Sequence, residues 1–164
     1  MRRSWLNRVL GRVDTEQVRA ELLALAEQGD WPTLLAAAQE ALKPLPTDVV
    51  ILNCAVRARL ILATESDLAQ ALPEAQAWLE AGHVSADDVP VPGEQQVEAE
   101  YLRGWVAALA GQWDQAEQCW RTAWQAQPER IDVREGLVRA WTVLGRVPEW
   151  GVALVETTLA DSRG

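Results

Sequence analysis

Histidine and cysteine carry much of the nucleophilic, acid–base and metal chemistry of proteins. This sequence holds one histidine, His83, and two cysteines, Cys54 and Cys119. None of the three has a ligand-type neighbour at zinc spacing. A Ser/His/Asp or Cys/His arrangement cannot be assembled around a single histidine expected in a loop. Both cysteines sit in apolar, helix-like surroundings and read as small reduced core residues, not as a disulfide or a metal site. No glycine-rich phosphate loop appears. Glu98 and Glu100 stand two apart, so on a helix they face different sides and do not act as a carboxylate pair. Asp87 and Asp88 are adjacent in a Pro- and Gly-bearing stretch. They would allow a carboxylate metal site there, but an exposed, solvated loop is the simpler reading. No catalytic residue, cofactor or metal ligand is therefore expected, and an enzyme with a loop site at 82–95 is the weaker alternative.

Binding chemistry is better represented. There are nine tryptophans, one tyrosine and no phenylalanine. Tryptophan anchors interfaces, but here it must also supply the aromatic volume of the core, and Trp31, Trp113, Trp120 and Trp141 fall at packing positions. Tyr101 and Trp105 differ, four residues apart on one helix face. Lys43 is the single lysine, so arginine carries almost all the positive charge. With abundant alanine, that is the composition of GC-rich bacterial coding. The net charge is −9, while residues 1–13 hold four arginines and no acid. Between Arg59 and Arg103 there is no basic residue but nine acids: Glu65, Asp67, Glu74, Glu80, Asp87, Asp88, Glu94, Glu98 and Glu100. Such a body repels phosphate backbones, which argues against nucleic-acid binding; its simplest role is a solvated face that keeps the chain soluble.

The elements that must position these residues are helical and repeated. Gly111, Trp113, Ala116, Trp120, Ala123 and Pro128 form the skeleton G-x-W-x-x-A-x-x-x-W-x-x-A-x-x-x-x-P. Glycine lets one helix stop with positive φ, the tryptophans and alanines share a helix face, and Pro128 is expected to open the next helix. Gly29, Trp31, Ala41 and Pro46 repeat this pattern 82 residues earlier, with Leu34 and Ala38 standing where Ala116 and Trp120 stand. A large–small pair thus replaces a small–large pair. Gly145 lies 34 residues after Gly111. The 111–128 unit strongly resembles the second half of a tetratricopeptide repeat.

The resemblance implies an all-α solenoid of antiparallel helix pairs with about four units, 15–48, 49–82, 97–130 and 131–164, and a loop insertion at 82–95. Apolar spacing predicts helices over 3–11, 15–28, 31–43, 48–63, 66–81, 95–110, 113–127, 130–144 and 148–160. In this superfamily the first helix of each pair lines a concave groove. Carried over by phase, the groove faces would include Arg19, Asn53, Arg57, Tyr101, Trp105 and Arg139, with Arg57 and Arg139 suited to meet a carboxylate. The family's Lys/Asn carboxylate clamp is not reproduced. The implied function is a non-catalytic adaptor or assembly factor holding a protein or peptide segment. The alternative is a structural protein that self-associates through its repeat ends.

Residues 1–14 form a basic amphipathic segment, with Trp5, Leu6, Val9, Leu10 and Val13 set against Arg2, Arg3, Arg8 and Arg12. It reads as a cap on the first unit of the 15–164 repeat domain; contact with a membrane surface is the less favoured reading. No apolar run approaches the ~20 residues of a membrane span and no secretory signal is evident, so a cytoplasmic place is expected.

Overall fold

A computed structural model describes residues 14–86 and 93–161. Among them are α1 (Thr15–Gln28), α2 (Trp31–Leu42), α3 (Val49–Leu62), α4 (Leu68–Ala86), α5 (Gly93–Leu109), α6 (Trp113–Ala126), α7 (Ile131–Leu144), a 3-10 turn (Glu149–Gly151) and α8 (Val152–Asp161). No strand occurs among the described residues.

The starts and stops follow from local chemistry. Asp14, Asp30 and Asp48 precede α1, α2 and α3, and each carboxylate accepts from the backbone N–H three residues on. This satisfies one of the amides that a helix start leaves bare. Gly29, Gly111 and Gly145 end α1, α5 and α7 with φ of 70°, 77° and 65°, the left-handed conformation that a side chain disfavours.

Three boundaries differ from expectation. The 82–95 stretch is not all loop: α4 continues to Ala86 and α5 begins at Gly93. Gly82 does not stop α4: it lies inside the helix without a positive φ, and a Cβ there would make ordinary van der Waals contact with the Leu52 side chain at 3.4 Å. His83 is consequently on a helix, and Asp87 and Asp88 lie outside the described residues, as does the helix expected over 3–11. Pro128 does not open α7; it sits in the turn, and Arg130 is the residue that flanks Ile131. The last helix is also not continuous from 148. Trp150 stands where the repeat pattern leads one to expect a small residue, and the chain forms a 3-10 turn over Glu149–Gly151 before α8 begins.

Each helix packs on the next in sequence. The odd-numbered helices also pack on one another, α1 on α3, α3 on α5 and α5 on α7, whereas no two even-numbered helices touch. The odd helices therefore form the inner, concave layer and the even helices fan out behind them, an all-α solenoid of antiparallel pairs. Three core clusters follow one another along it: Leu22, Leu34, Ala38 and Cys54 among others; then Val56, Leu60, Leu79 and Leu102; then Ala116, Trp120, Leu137 and Trp141. Each cluster joins only adjacent helices, as a solenoid requires.

Trp120 explains the third cluster. A Cβ on Gly136 would come within 2.8 Å of its ring, and one on Gly104 closer still. The indole lies against two bare backbones, and its Nε1 donates to the Tyr101 carbonyl at 3.0 Å. The equivalents one 82-residue offset earlier are Ala38, Leu22 and Cys54, which share one cluster. The inverted large–small order is thus a three-residue volume exchange.

Candidate functional site

The first helices of the four pairs share a register. Arg19, Asn53, Tyr101 and Glu135 are equivalent, and so are Leu23, Arg57, Trp105 and Arg139 one turn later. These positions lie on the inner layer, and much of their polar chemistry is directed at the next unit. Arg19 grips Asp48 through two guanidinium nitrogens, at 3.0 and 2.7 Å. Asp48 also caps α3, so one carboxylate fixes a helix start and a contact between units. Asn53 is buried, and its side-chain N–H group donates to the Gln95 carbonyl at 3.0 Å and to the Gln95 side chain at 3.1 Å.

Arg57, expected to meet a partner's carboxylate, already meets one in this chain. Its guanidinium lies 2.6 Å from Glu98 on α5. Arg130 binds the other oxygen of Glu98 at 3.0 Å and Asp132 at 2.6 Å. The two guanidinium groups stand 5.5 and 5.0 Å from the Tyr101 ring, within cation–π range. Tyr101 packs on Trp105 with ring centroids 6.1 Å apart. Burial, and the nearby Asp132 charge, push the Tyr101 hydroxyl above its ordinary value, so it stays neutral. Burial pushes Asp132 up as well, but the hydrogen bond and charge of Arg130 and the Val133 amide outweigh it and hold the carboxyl below its ordinary value.

The structure therefore separates the six predicted residues. Arg19, Asn53 and Arg57 brace successive inner helices. Tyr101 and Trp105 are half-buried beside that brace, and Arg139 is exposed with no ion-pair partner among the described residues. Sequence reasoning missed Glu98, Arg130 and Asp132. Their partners lie on other units, and no spacing rule within one helix reveals such pairs. It also missed an apolar row on the inner helices: Ile61, Leu109 and Val143 are equivalent, and are 36%, 38% and 52% exposed. The signal was present, since the three share the register that aligns Arg57, Trp105 and Arg139.

The cysteines offer no nucleophile, because burial pushes Cys54 up to about 12 and Cys119 up to about 11. Among the described residues no group of three or more His, Cys, Asp or Glu is placed to hold a metal ion.

The fold is that of solved MamA structures. A MamA RS-1 double mutant is 21% identical to this chain, with a TM-score of 0.60 over 90% of this chain and 74% of that one. MamA from Desulfovibrio magneticus RS-1, from residue 41 to its end, is 19% identical with a TM-score of 0.61, covering 92% and 76%. A third, MamA MSR-1, is 14% identical with a TM-score of 0.56, covering 92% and 78%. At these identities the likeness is one of fold. No protein-family profile and no curated protein sequence matches the chain. Among the described residues no helix is long and apolar enough to cross a membrane.

Proposed function

We propose that this chain is a non-catalytic interaction module that holds a segment of a partner protein on its inner face. The observation that carries the reading is the exposed apolar row Ile61, Leu109 and Val143 beside the half-buried Trp105. Apolar groups on three successive helices at one register position add nothing to the core, and lie where a solenoid presents its extended binding surface. Arg139 stands in the same layer, able to orient a partner's carboxylate. In this reading residues 1–14 cap the first unit, and the place of action is the cytoplasm.

The test is capture of binding proteins by the intact chain and by a Tyr101→Ala/Trp105→Ala double variant. The partner should be lost from the variant while the variant keeps its helical circular dichroism. An aromatic anchor of this kind typically contributes at least about 2 kcal/mol, roughly thirtyfold in affinity. Equal capture by both chains would remove the inner face as the site.

A second reading is self-association through the last helix pair. Trp150, Val152 and Leu159 are 43%, 47% and 48% exposed there, an apolar end that another copy could cover. Molecular mass that rises with concentration, and returns to that of a monomer for a Val152→Ser/Leu159→Ser variant, would favour it.

A further inference from the structure

The last helix leaves one stripe of side chains uncovered. Val152, Glu156 and Leu159 stand at i, i+4 and i+7 on α8, and so share a face. All three are exposed, the two aliphatic groups at 47% and 48%. The residues that α8 gives to the third core cluster are others, Leu154 and Val155. Terminal units of a solenoid ordinarily turn a polar side outward, and two bare aliphatic groups depart from that. Among the described residues α8 packs only on α7 and on the turn before it, and Glu156 has no ion-pair partner.

The inner face carries the counterpart. Leu109 on α5 and Val143 on α7 are exposed aliphatic groups. Arg139, one turn before Val143, is exposed and has no ion-pair partner among the described residues. α5 and α7 pack on each other, and helices in contact lie about 8–10 Å apart. Val152 and Leu159, seven residues apart, are separated by about 10.5 Å along α8. A helix laid across α5 and α7 thus sets one aliphatic group on Leu109 and the other on Val143. Glu156 then falls between them, in reach of the Arg139 guanidinium. Glu135 lies one turn to the other side of Arg139, so an incoming acid is favoured at the Val143 end, where α7 carries none.

We infer that the segment held by the inner face is α8 of a second copy of this chain, an inference that rests on the interaction-module reading above and names its partner. The aliphatic contacts supply the attraction, and the Arg139–Glu156 pair fixes which way the helix lies. The two surfaces are different parts of the chain. The contact therefore either closes reciprocally in a pair or runs on from copy to copy.

The experiment follows the mass of the full chain against concentration by sedimentation. The parent should associate reversibly. Arg139→Glu and Glu156→Arg each set like charges against one another and should weaken association about tenfold or more, with helical circular dichroism unchanged. Mixed in equal amounts, the two variants should associate as the parent does, because the α8 of each then fits the inner face of the other. A parent that stays monomeric at every concentration, variants that associate as the parent does, or a mixture no tighter than its components overturns the inference. If the parent is monomeric but Tyr101→Ala/Trp105→Ala still loses a captured protein, the interaction module stands and only the second copy falls as its partner. If a folded Leu109→Ser/Val143→Ser variant keeps both association and capture, the inner face is removed as a site and both readings fall.

Discussion

Trp120 lies between α5 and α7, over Gly104 on one side and Gly136 on the other. Added methyl groups there have nowhere to go, because the ring is buried and its Nε1 is tied to the Tyr101 carbonyl. Gly136→Ala should therefore lower stability by about 1–3 kcal/mol, although alanine is the better helix former by about 1 kcal/mol. Chemical denaturation measures the difference, and a variant more stable than the parent would mean that the ring shifts freely. Asp132 carries a pH prediction. Its carboxyl is held below the ordinary value of 3.8 in the fold, so its contribution is present above that value. It is lost as pH falls through the folded value. Stability of the parent should thus drop more steeply below the ordinary carboxylate range than that of Asp132→Asn. Parallel urea midpoints across that range would refute this. Single residues were the hardest features to read from sequence. Arg57 lies on α3, and its pairing with Glu98 joins positions 41 residues apart, which only the stacking of units brings together.

At the scale of elements the sequence was much more legible, because helix ends are written locally. Gly29, Gly111 and Gly145 sit just past the last residues of α1, α5 and α7, where a positive φ is needed. Gly82 misled because a glycine inside a helix looks, in sequence, like a glycine that ends one. Trp150 shows the opposite case. It stands where Ala116 stands one unit earlier, and its bulk is accommodated by a 3-10 turn that lets it stack on Trp124 at 5.3 Å and meet Trp141 edge-on at 5.2 Å. Gly151 then takes the close approach to Trp141. Ala116 has no such turn. It is fully buried within an uninterrupted α6, so Ala116→Leu should overpack the crossing and cost about 1–3 kcal/mol. A melting temperature equal to the parent's would show that the neighbouring helices can separate there.

The whole molecule is a row of contacts between neighbours, and its ends are where the row is incomplete. Residues 1–13 precede α1, whose exposed residues include Leu23 and the acids Glu16 and Glu27. A segment with four arginines and an apolar stripe complements that surface. Individual exposed ion pairs contribute under about 1 kcal/mol, so the stripe must supply most of any docking energy. Deleting residues 1–13 should accordingly lower thermal stability. Unchanged stability together with lost binding to anionic liposomes would assign the segment to a membrane instead. Overall architecture was readable because repeat units constrain one another through a fixed period, whereas the brace between the inner helices arises only from their stacking. The volume exchange between Trp120, Gly104 and Gly136 and their counterparts Ala38, Leu22 and Cys54 bears on ancestry. If the two halves descend from one duplicated unit, the order of substitutions was restricted. Setting tryptophan opposite leucine and cysteine first would drive it into two helices at once. Shrinking those two residues first leaves a cavity, costly at about 2–5 kcal/mol for a leucine but compatible with a folded chain. The lineage could pass through looseness but not through collision. For the same reason, recombination that exchanges α2 for α6 without the facing positions on α1 and α3 should yield chains that do not close.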